Sequence, residues 1–224
     1  MGRVSLAGPV GDNAAFGITN TVFRIINPNY QGYVTFGATN YSGTESSGFI
    51  QFVVNRSSGS KGSLTVQYAT TDGTAVNGVD YHGITNTLQW ADGDVSPRII
   101  NLPLINNEAV GGNKQLAVSL FNPTLNGVST PGLLGLIPNC TLTIINDNSY
   151  GSLQLSQSNY IVNEDGGYAT ITATRTGGAA GNVSVNYATA NGSAVSGTNY
   201  VNSSGILTFV PGQISASFNV PILT

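Results

Sequence analysis

The sequence predicts an all-β protein built as tandem immunoglobulin-like Greek-key β-sandwiches, and three observations predict it. One turn-rich segment occurs twice. Short apolar-alternating runs bounded by Gly, Asn and Pro fill the chain, and no stretch carries a helical apolar period with caps. The duplication is the strongest of the three. Tyr68-Ala-Thr-Thr-Asp-Gly-Thr-Ala-Val-Asn-Gly-Val-Asp-Tyr81 returns as Tyr187-Ala-Thr-Ala-Asn-Gly-Ser-Ala-Val-Ser-Gly-Thr-Asn-Tyr200. The same offset pairs Tyr41 with Tyr160, Glu45 with Glu164, Arg56 with Arg175 and Trp90 with Phe209, and after a one-residue slip Pro103 pairs with Pro221. A register held this long marks duplicated domains.

Strands follow from the alternation. In the second copy Tyr168–Arg175 alternates until Gly177-Gly178 breaks it, and Val183–Tyr187 alternates up to the turn at Asn191-Gly192. Gly205–Phe209 and Ala216–Ile222 complete the visible set. The expected organisation is an N-terminal extension over 1–34, a first sandwich over 35–148 and a second over 149–224. The second lacks its last strands, because Thr224 corresponds to Asn106 and the stretch from Asn107 to Asp147 supplies two strands of the first copy.

An open sheet edge invites pairing. Thr21-Val-Phe-Arg-Ile-Ile-Asn-Pro28 alternates and stops at Asn-Pro, as does Leu116-Ala-Val-Ser-Leu-Phe-Asn-Pro123. Val22, Phe23, Ile25 and Ile26 are therefore expected to form an assembly strand that completes a neighbouring copy, giving a head-to-tail homopolymer. Neighbouring domains of a longer chain, or a reduced second domain, are the alternatives.

Only 8% of the residues are charged, against about 25% in an average soluble protein, while 40% are hydrophobic. Such a chain buries a core and covers it with Asn, Ser, Thr and Gly. The net charge of −3, with seven scattered Lys and Arg, offers no phosphate-binding stripe and so no nucleic-acid partner. No apolar run reaches the ~18 residues needed for membrane insertion. The opening Met1–Val10 lacks the apolar segment of a secretory signal, so an extracellular or cell-surface location implies a removed signal or release by another route, such as within a virion. The lone Cys140 forms no internal disulfide and reads as a small hydrophobe on a strand.

Catalytic groups are sparse. His82 is the single histidine, and no serine on a strained turn accompanies it. Asp92-Gly-Asp94 reads as a hairpin turn rather than an acid pair. There is no zinc spacing and no phosphate-binding glycine loop. Lys61 and Lys114 stand in no crosslinking context, and sequons such as those at Asn40, Asn139, Asn182 and Asn191 establish nothing about glycosylation, since many arise by chance in so Asn- and Thr-rich a chain. The expectation is a chain with no catalytic residues, not an enzyme.

The repeated Tyr–Tyr segment, the Glu at each strand entry (Glu45, Glu164) and the Leu-x-[Trp/Phe]-x-x-Gly runs (Leu88–Gly93, Leu207–Gly212) come with Leu116–Thr124 and Cys140–Asp147. Together these resemble the Calx-β family of sodium–calcium exchangers, integrin β4 and bacterial surface proteins, over residues from about 35 to 224. The resemblance implies calcium held by acidic loops at one end of a sandwich. Carried over by position, the acids are Glu45, Asp80 and Asp147. The central acidic pair falls on Asn106 and Asn107, and two later glutamates fall near Gly111 and Lys114, with Glu108 as the substitute for one. The implied metal set is Glu45, Asp80, Glu108 and Asp147, a weak one, since calcium takes about six to eight oxygens, chiefly carboxylates. The second copy keeps Glu164 beside Asp165 but has Asn199 for the Asp and lacks the later loop. No cofactor is required and calcium is the one implied. In the repeated segment the glycines flanking Ala-Val are expected at positive φ, and the tyrosines are expected to pack their rings on the sandwich.

The function expected from these features is a non-enzymatic extracellular structural or adhesion module, a fibre or filament block assembled by β-strand complementation. The alternative is a calcium-responsive binding module of a larger cell-surface protein.

Overall fold

The structure, a computed structural model, describes residues 2–5, 20–23 and 30–224. Strands β1 (Gly2–Ser5) and β2 (Asn20–Phe23) pair antiparallel with each other, Gly2 opposite Phe23 and Arg3 opposite Val22. Of the expected assembly strand, Val22 and Phe23 thus lie in β2 with β1 as ladder partner, while Ile25 and Ile26 lie outside the described residues.

The first copy contributes β3 (Tyr33–Phe36), β4 (Asn40–Thr44), β5 (Phe49–Ser57), β6 (Leu64–Asp72), β7 (Thr85–Trp90) and β8 (Arg98–Pro103). It continues with β9 (Lys114–Leu125), β10 (Val128–Ser129) and β11 (Asn139–Ile145). One sheet runs β3-β5-β8 and the other β4-β11-β9-β6-β7, with β10 on β9. The alternation in the sequence is the alternation of burial. In β5 Ile50, Phe52, Val54 and Arg56 point inward, in β9 Leu116, Val118 and Leu120, and in β11 Cys140, Leu142 and Ile144. Phe52 meets Tyr68 edge-on across the sheets at 6.5 Å and lies tilted against Phe36 of its own sheet at 6.0 Å, and fully buried Trp90 donates its indole N–H to the Ser96 carbonyl at 2.8 Å. Cys140 is buried on its strand, as expected, and burial pushes its thiol up to about 12.

The second copy contributes β12 (Ser152–Leu155), β13 (Tyr168–Thr176), β14 (Val183–Ala188), β15 (Ser204–Phe209) and β16 (Ser215–Pro221). Its sheets are β12-β13-β16 and β14-β15, the counterparts of β3-β5-β8 and β6-β7. The residues up to Thr224 hold no counterpart of β9 or β11, and the segment matching β4 forms no strand, since β4 is held only by β11. The side chains that those strands cover in the first copy are open here. Val185 is 36% exposed where Val66 is 0%. Tyr187 and Phe218 stack at 3.7 Å beside a cleft of about 380 Å³ that Leu153, Ile171 and Val185 also line.

By packing density the chain divides into two units. The first joins the segment ending at Ser42 with Ile50–Pro103 and Gln115–Thr143; the second joins Gly43–Phe49, Leu104–Lys114 and Ile144–Thr224.

A buried arginine repeats in both copies. Arg56, 3% exposed, donates from Nε and Nη2 to the Gln31 carbonyl, from Nη2 to those of Lys61 and Gly62, and from Nη1 to Ala91 and Asp94, at 2.9–3.4 Å. Arg175, 2% exposed, repeats the pattern on the carbonyls of Tyr150, Ala180, Gly181 and Val210. Removing the Arg56 fork strands several buried carbonyls at once, and each loss costs about 1–3 kcal/mol. Arg56→Met is expected to lower the unfolding free energy of the first copy by more than ~3 kcal/mol, and Arg56→Lys, which has no planar fork, should not restore it. Urea unfolding followed by fluorescence of Trp90, the single tryptophan, measures this.

Candidate functional site

The loops that follow β8 and β11 and the turn before β5 carry three of the four expected acids, Glu108, Asp147 and Glu45. Glu45 opens a 3-10 turn, Glu45–Ser47, which Gly48 ends at φ 79°. Its side chain is 3% exposed. Oε1 accepts the backbone N–H of Asn107 at 2.6 Å, and Oε2 accepts the Asn148 amide at 3.4 Å. The same Asn148 Nδ2 donates to the Asn107 carbonyl at 2.6 Å. Both of its partners are acceptors, which fixes the amide with nitrogen toward them. Asp147 is exposed, and its Oδ2 accepts the Ser46 hydroxyl. Glu45 and Asp147 therefore belong to one hydrogen-bonded cluster, linked through Ser46 and Asn148. Glu108 is exposed and follows Asn107 in the loop.

Asparagines tie the rest of the cluster. The Asn107 Oδ1 accepts the Ala109 N–H at 2.8 Å, and the Asn146 amide donates to the Ala109 carbonyl at 2.7 Å. The Asn146 N–H reaches Asn113 Oδ1 at 3.1 Å, and the Asn148 N–H reaches Asn146 Oδ1 at 3.0 Å. Sequence reasoning singled out Asn106 and Asn107 only as lost acids and missed Asn113, Asn146 and Asn148. The signal was present as Asn146-Asp-Asn148, an acid flanked by two of its isosteres.

Asp80 falls in the first packing unit, in the repeated turn. Its Oδ2 accepts the Val76 N–H at 2.8 Å, and in the second copy Asn199 Oδ1 accepts the Val195 N–H at 2.9 Å. Asp72 accepts the Asn77 N–H and the Tyr81 hydroxyl; Asn191 accepts the Ser196 N–H and the Tyr200 hydroxyl, each at 2.8 Å. An amide oxygen thus does what the carboxylate does at both positions. Burial, then the bond to Asp72, pushes the Tyr81 hydroxyl up to about 12. The expectation for the flanking glycines is half corrected. Gly78 and Gly197 take φ 80° and 84°, but Gly73 does not take positive φ; a Cβ there would lie 2.6 Å from the Gln115 carbonyl oxygen, so close approach is what requires glycine.

The remaining candidates take structural places. His82 is exposed and uses its backbone N–H on the Pro103 carbonyl at 3.0 Å. Asp92 caps the Gly62 N–H at 2.6 Å and Asp94 caps Ser96 at 2.8 Å, on either side of Gly93 at φ 85°. The Ser96 N–H and then the Arg98 side chain hold the Asp94 carboxyl down at about 2. In the second copy Glu164 and Asp165 are exposed.

Calcium is the ion this end of the fold implies, and the donor set decides whether it fits. Among the described residues no three His, Cys, Asp or Glu side chains converge as a metal centre. The four acids expected together do not form one cluster of carboxylates. What fits is a reduced site. Glu45 is a buried carboxylate whose hydrogen-bond partners are neutral, Asp147 is a second carboxylate in the same network, and asparagine carbonyls are acceptable calcium ligands.

Two facing antiparallel sheets with a cluster of acids and amides in the loops before β5 and after β8 and β11 define an immunoglobulin-like β-sandwich domain. The chain belongs to the Calx-beta domain family, which matches residues 27–149 and again 146–224. It is 26% identical to sodium/calcium exchanger 1 of Felis catus over 204 residues, covering 85% of this chain and 21% of the exchanger. It is 29% identical over 180 residues to adhesion G-protein coupled receptor V1 of Danio rerio, 78% of this chain and 3% of the receptor. The chain therefore spans about a fifth or less of these relatives. A solved structure of calcium binding domain CBD12 of CALX1.1 superposes with a TM-score of 0.52 at 26% identity, over 85% of this chain and 75% of that one.

Two outcomes check these assignments. Asp72→Asn should change stability by less than ~0.5 kcal/mol in urea unfolding, because Asn191 already performs the same two bonds. Asp94 has its folded value depressed from 3.8 to about 2, so its contribution is present above 3.8 and lost as the pH falls toward 2. The melting temperature of Asp94→Asn should accordingly fall less than that of the unmodified chain across that interval.

Proposed function

We propose that this chain is a non-enzymatic, calcium-responsive binding module of a larger cell-surface protein, with the Glu45 end of the first copy as its responsive part. The observation that carries this is a buried carboxylate, Glu45, held by neutral donors only and networked to a second carboxylate, Asp147, at the end of a Calx-beta domain. A buried charge without an opposite charge is costly, and a cation relieves that cost. The similarity to a calcium binding domain supports the same assignment. A bound calcium would supply positive charge; Glu45, Asp147 and the Asn106 and Asn107 carbonyl oxygens would hold it.

The chain's own residues do the rest. The 3-10 turn presents Glu45, Ser46 steers Asp147, and the amides of Asn146 and Asn148 fasten the loop after β8 to the segment after β11. With only two carboxylates in the network, affinity belongs to the weak range of about 10⁻⁴–10⁻³ M. Neither the exchangers nor the receptor supports a fibre block, and a cell-surface location is part of the proposal rather than of the comparisons.

Millimolar calcium is expected to raise the melting temperature of the unmodified chain over that in chelator by a few degrees, roughly what ligand at several times its dissociation constant supplies. Glu45→Gln should remove that rise. An equal melting temperature in both buffers for the unmodified chain would overturn the calcium part of the proposal.

A further inference from the structure

We infer that Asn148 is an amide latch that closes the loop end of the first copy without metal and thereby sets its calcium response in the weak range. The inference deepens the proposed function and rests on it for the calcium half only. Asn148 Nδ2 stands between two oxygens, Oε2 of Glu45 and the carbonyl of Asn107, which is the arrangement in which a small cation would also sit. A neutral N–H donor at that place satisfies both acceptors, so neither is left orphaned in a half-buried site.

The surrounding bonds show that the closure is built rather than incidental. Glu45 Oε1 takes the Asn107 N–H, so a single residue is gripped at both its N–H and its carbonyl. Asn146 grips Ala109 through its carbonyl, and Asn107 caps the Ala109 N–H, so the next turn of the loop is held in the same way. Asn148 itself is held by its own N–H on Asn146 Oδ1. An aspartate in place of Asn148 would have the same shape but would offer acceptors to acceptors. Such an end stays open until a cation closes it. One side-chain nitrogen thus separates a loop that is ordered at all times from one that is ordered only with calcium.

The second copy gives an internal comparison. Glu164 begins the equivalent 3-10 turn, Glu164–Gly166, and Gly167 ends it at φ 73°. The residues up to Thr224 hold no counterpart of the loop from Asn107 to Lys114 or of Asn148, and Glu164 is exposed. Burial of the strand-entry glutamate therefore follows the latch and its loop, not the turn.

The test compares the full chain with Asn148→Asp and Asn148→Ala, by Trp90-monitored melting in chelator and in calcium and by calorimetric titration with calcium chloride. Both variants should melt several degrees lower in chelator. Asn148→Asp should recover in calcium and bind it at least tenfold more tightly than the unmodified chain, while Asn148→Ala should not recover. If both variants melt in chelator like the unmodified chain, the latch is overturned, whatever calcium does. If both melt lower but Asn148→Asp takes up no heat-detectable calcium, the latch stands and the calcium response of the proposed function falls. Should either variant fail to fold, hydrogen exchange on the unmodified chain in chelator decides. Slow exchange of the Asn107 N–H and the Asn148 side-chain amide supports the latch, and exchange at the rate of an exposed loop overturns it.

Discussion

The buried guanidinium of each copy is the interaction on which the rest of the fold depends. Arg56 and Arg175 face no carboxylate within hydrogen-bond reach; every described bond they make is to a backbone carbonyl. The carbonyls come from separate segments, from Gln31, from the Lys61-Gly62 turn and from the Ala91–Asp94 turn in the first copy. One side chain therefore gathers three connections, which also bond one another through the Lys61 N–H on the Tyr30 carbonyl, the Gly93 N–H on the Ser60 carbonyl and the Gly62 N–H on Asp92. Burial pushes the Arg56 guanidinium below its ordinary value, with Asp92 and Asp94 pulling the other way, and its intrinsic basicity is high enough to keep it charged. The same gathering on Tyr150, Gly181 and Val210 is what lets the second copy keep its β12-β13-β16 sheet next to a half-open interior.

Those connections also need close backbone approach. A Cβ on Gly32 would lie 2.4 Å from the Gly59 carbonyl oxygen, and one on Gly151 would lie 2.2 Å from that of Gly178. Paired glycines and a carbonyl-capped arginine form one device, written twice. At the other end of β5 the device is different. There Asn148 and the Asn107 N–H close the loops on the Glu45 carboxylate, and the repeated turn shows how little charge the frame itself requires. Asp72 and Asp80 in one copy, Asn191 and Asn199 in the other, accept the same N–H and hydroxyl donors.

The strands and the duplication were legible because they depend on period and repetition alone. Val183–Tyr187 and Gly205–Phe209 fall within β14 and β15, and the Leu116 run falls within β9. The arginine pair was visible as a repeat but not as a pin, since its partners are carbonyls, which leave no trace in residue identity. The Asn148 latch was illegible for the same reason in part: it bonds one carboxylate and one carbonyl. Gly73 shows the limit most simply. Glycine in a turn suggests positive φ, yet at this position the neighbour that forbids a side chain is Gln115, distant in sequence.

The two copies, taken side by side, separate what a sequence position confers from what its surroundings confer. Glu45 and Glu164 each open a 3-10 turn that a glycine at positive φ ends. One carboxylate is 3% exposed and the other is exposed outright, so the turn fixes direction and the covering loop fixes environment. Any chemistry at this end, whether hydrogen bonding to an amide or holding a cation, depends on that environment, because a carboxylate in water has little to gain from either. The difference in environment between the two turns therefore lies in the loop after β8, whose Asn107 N–H and carbonyl are engaged by Glu45 and Asn148 in the first copy.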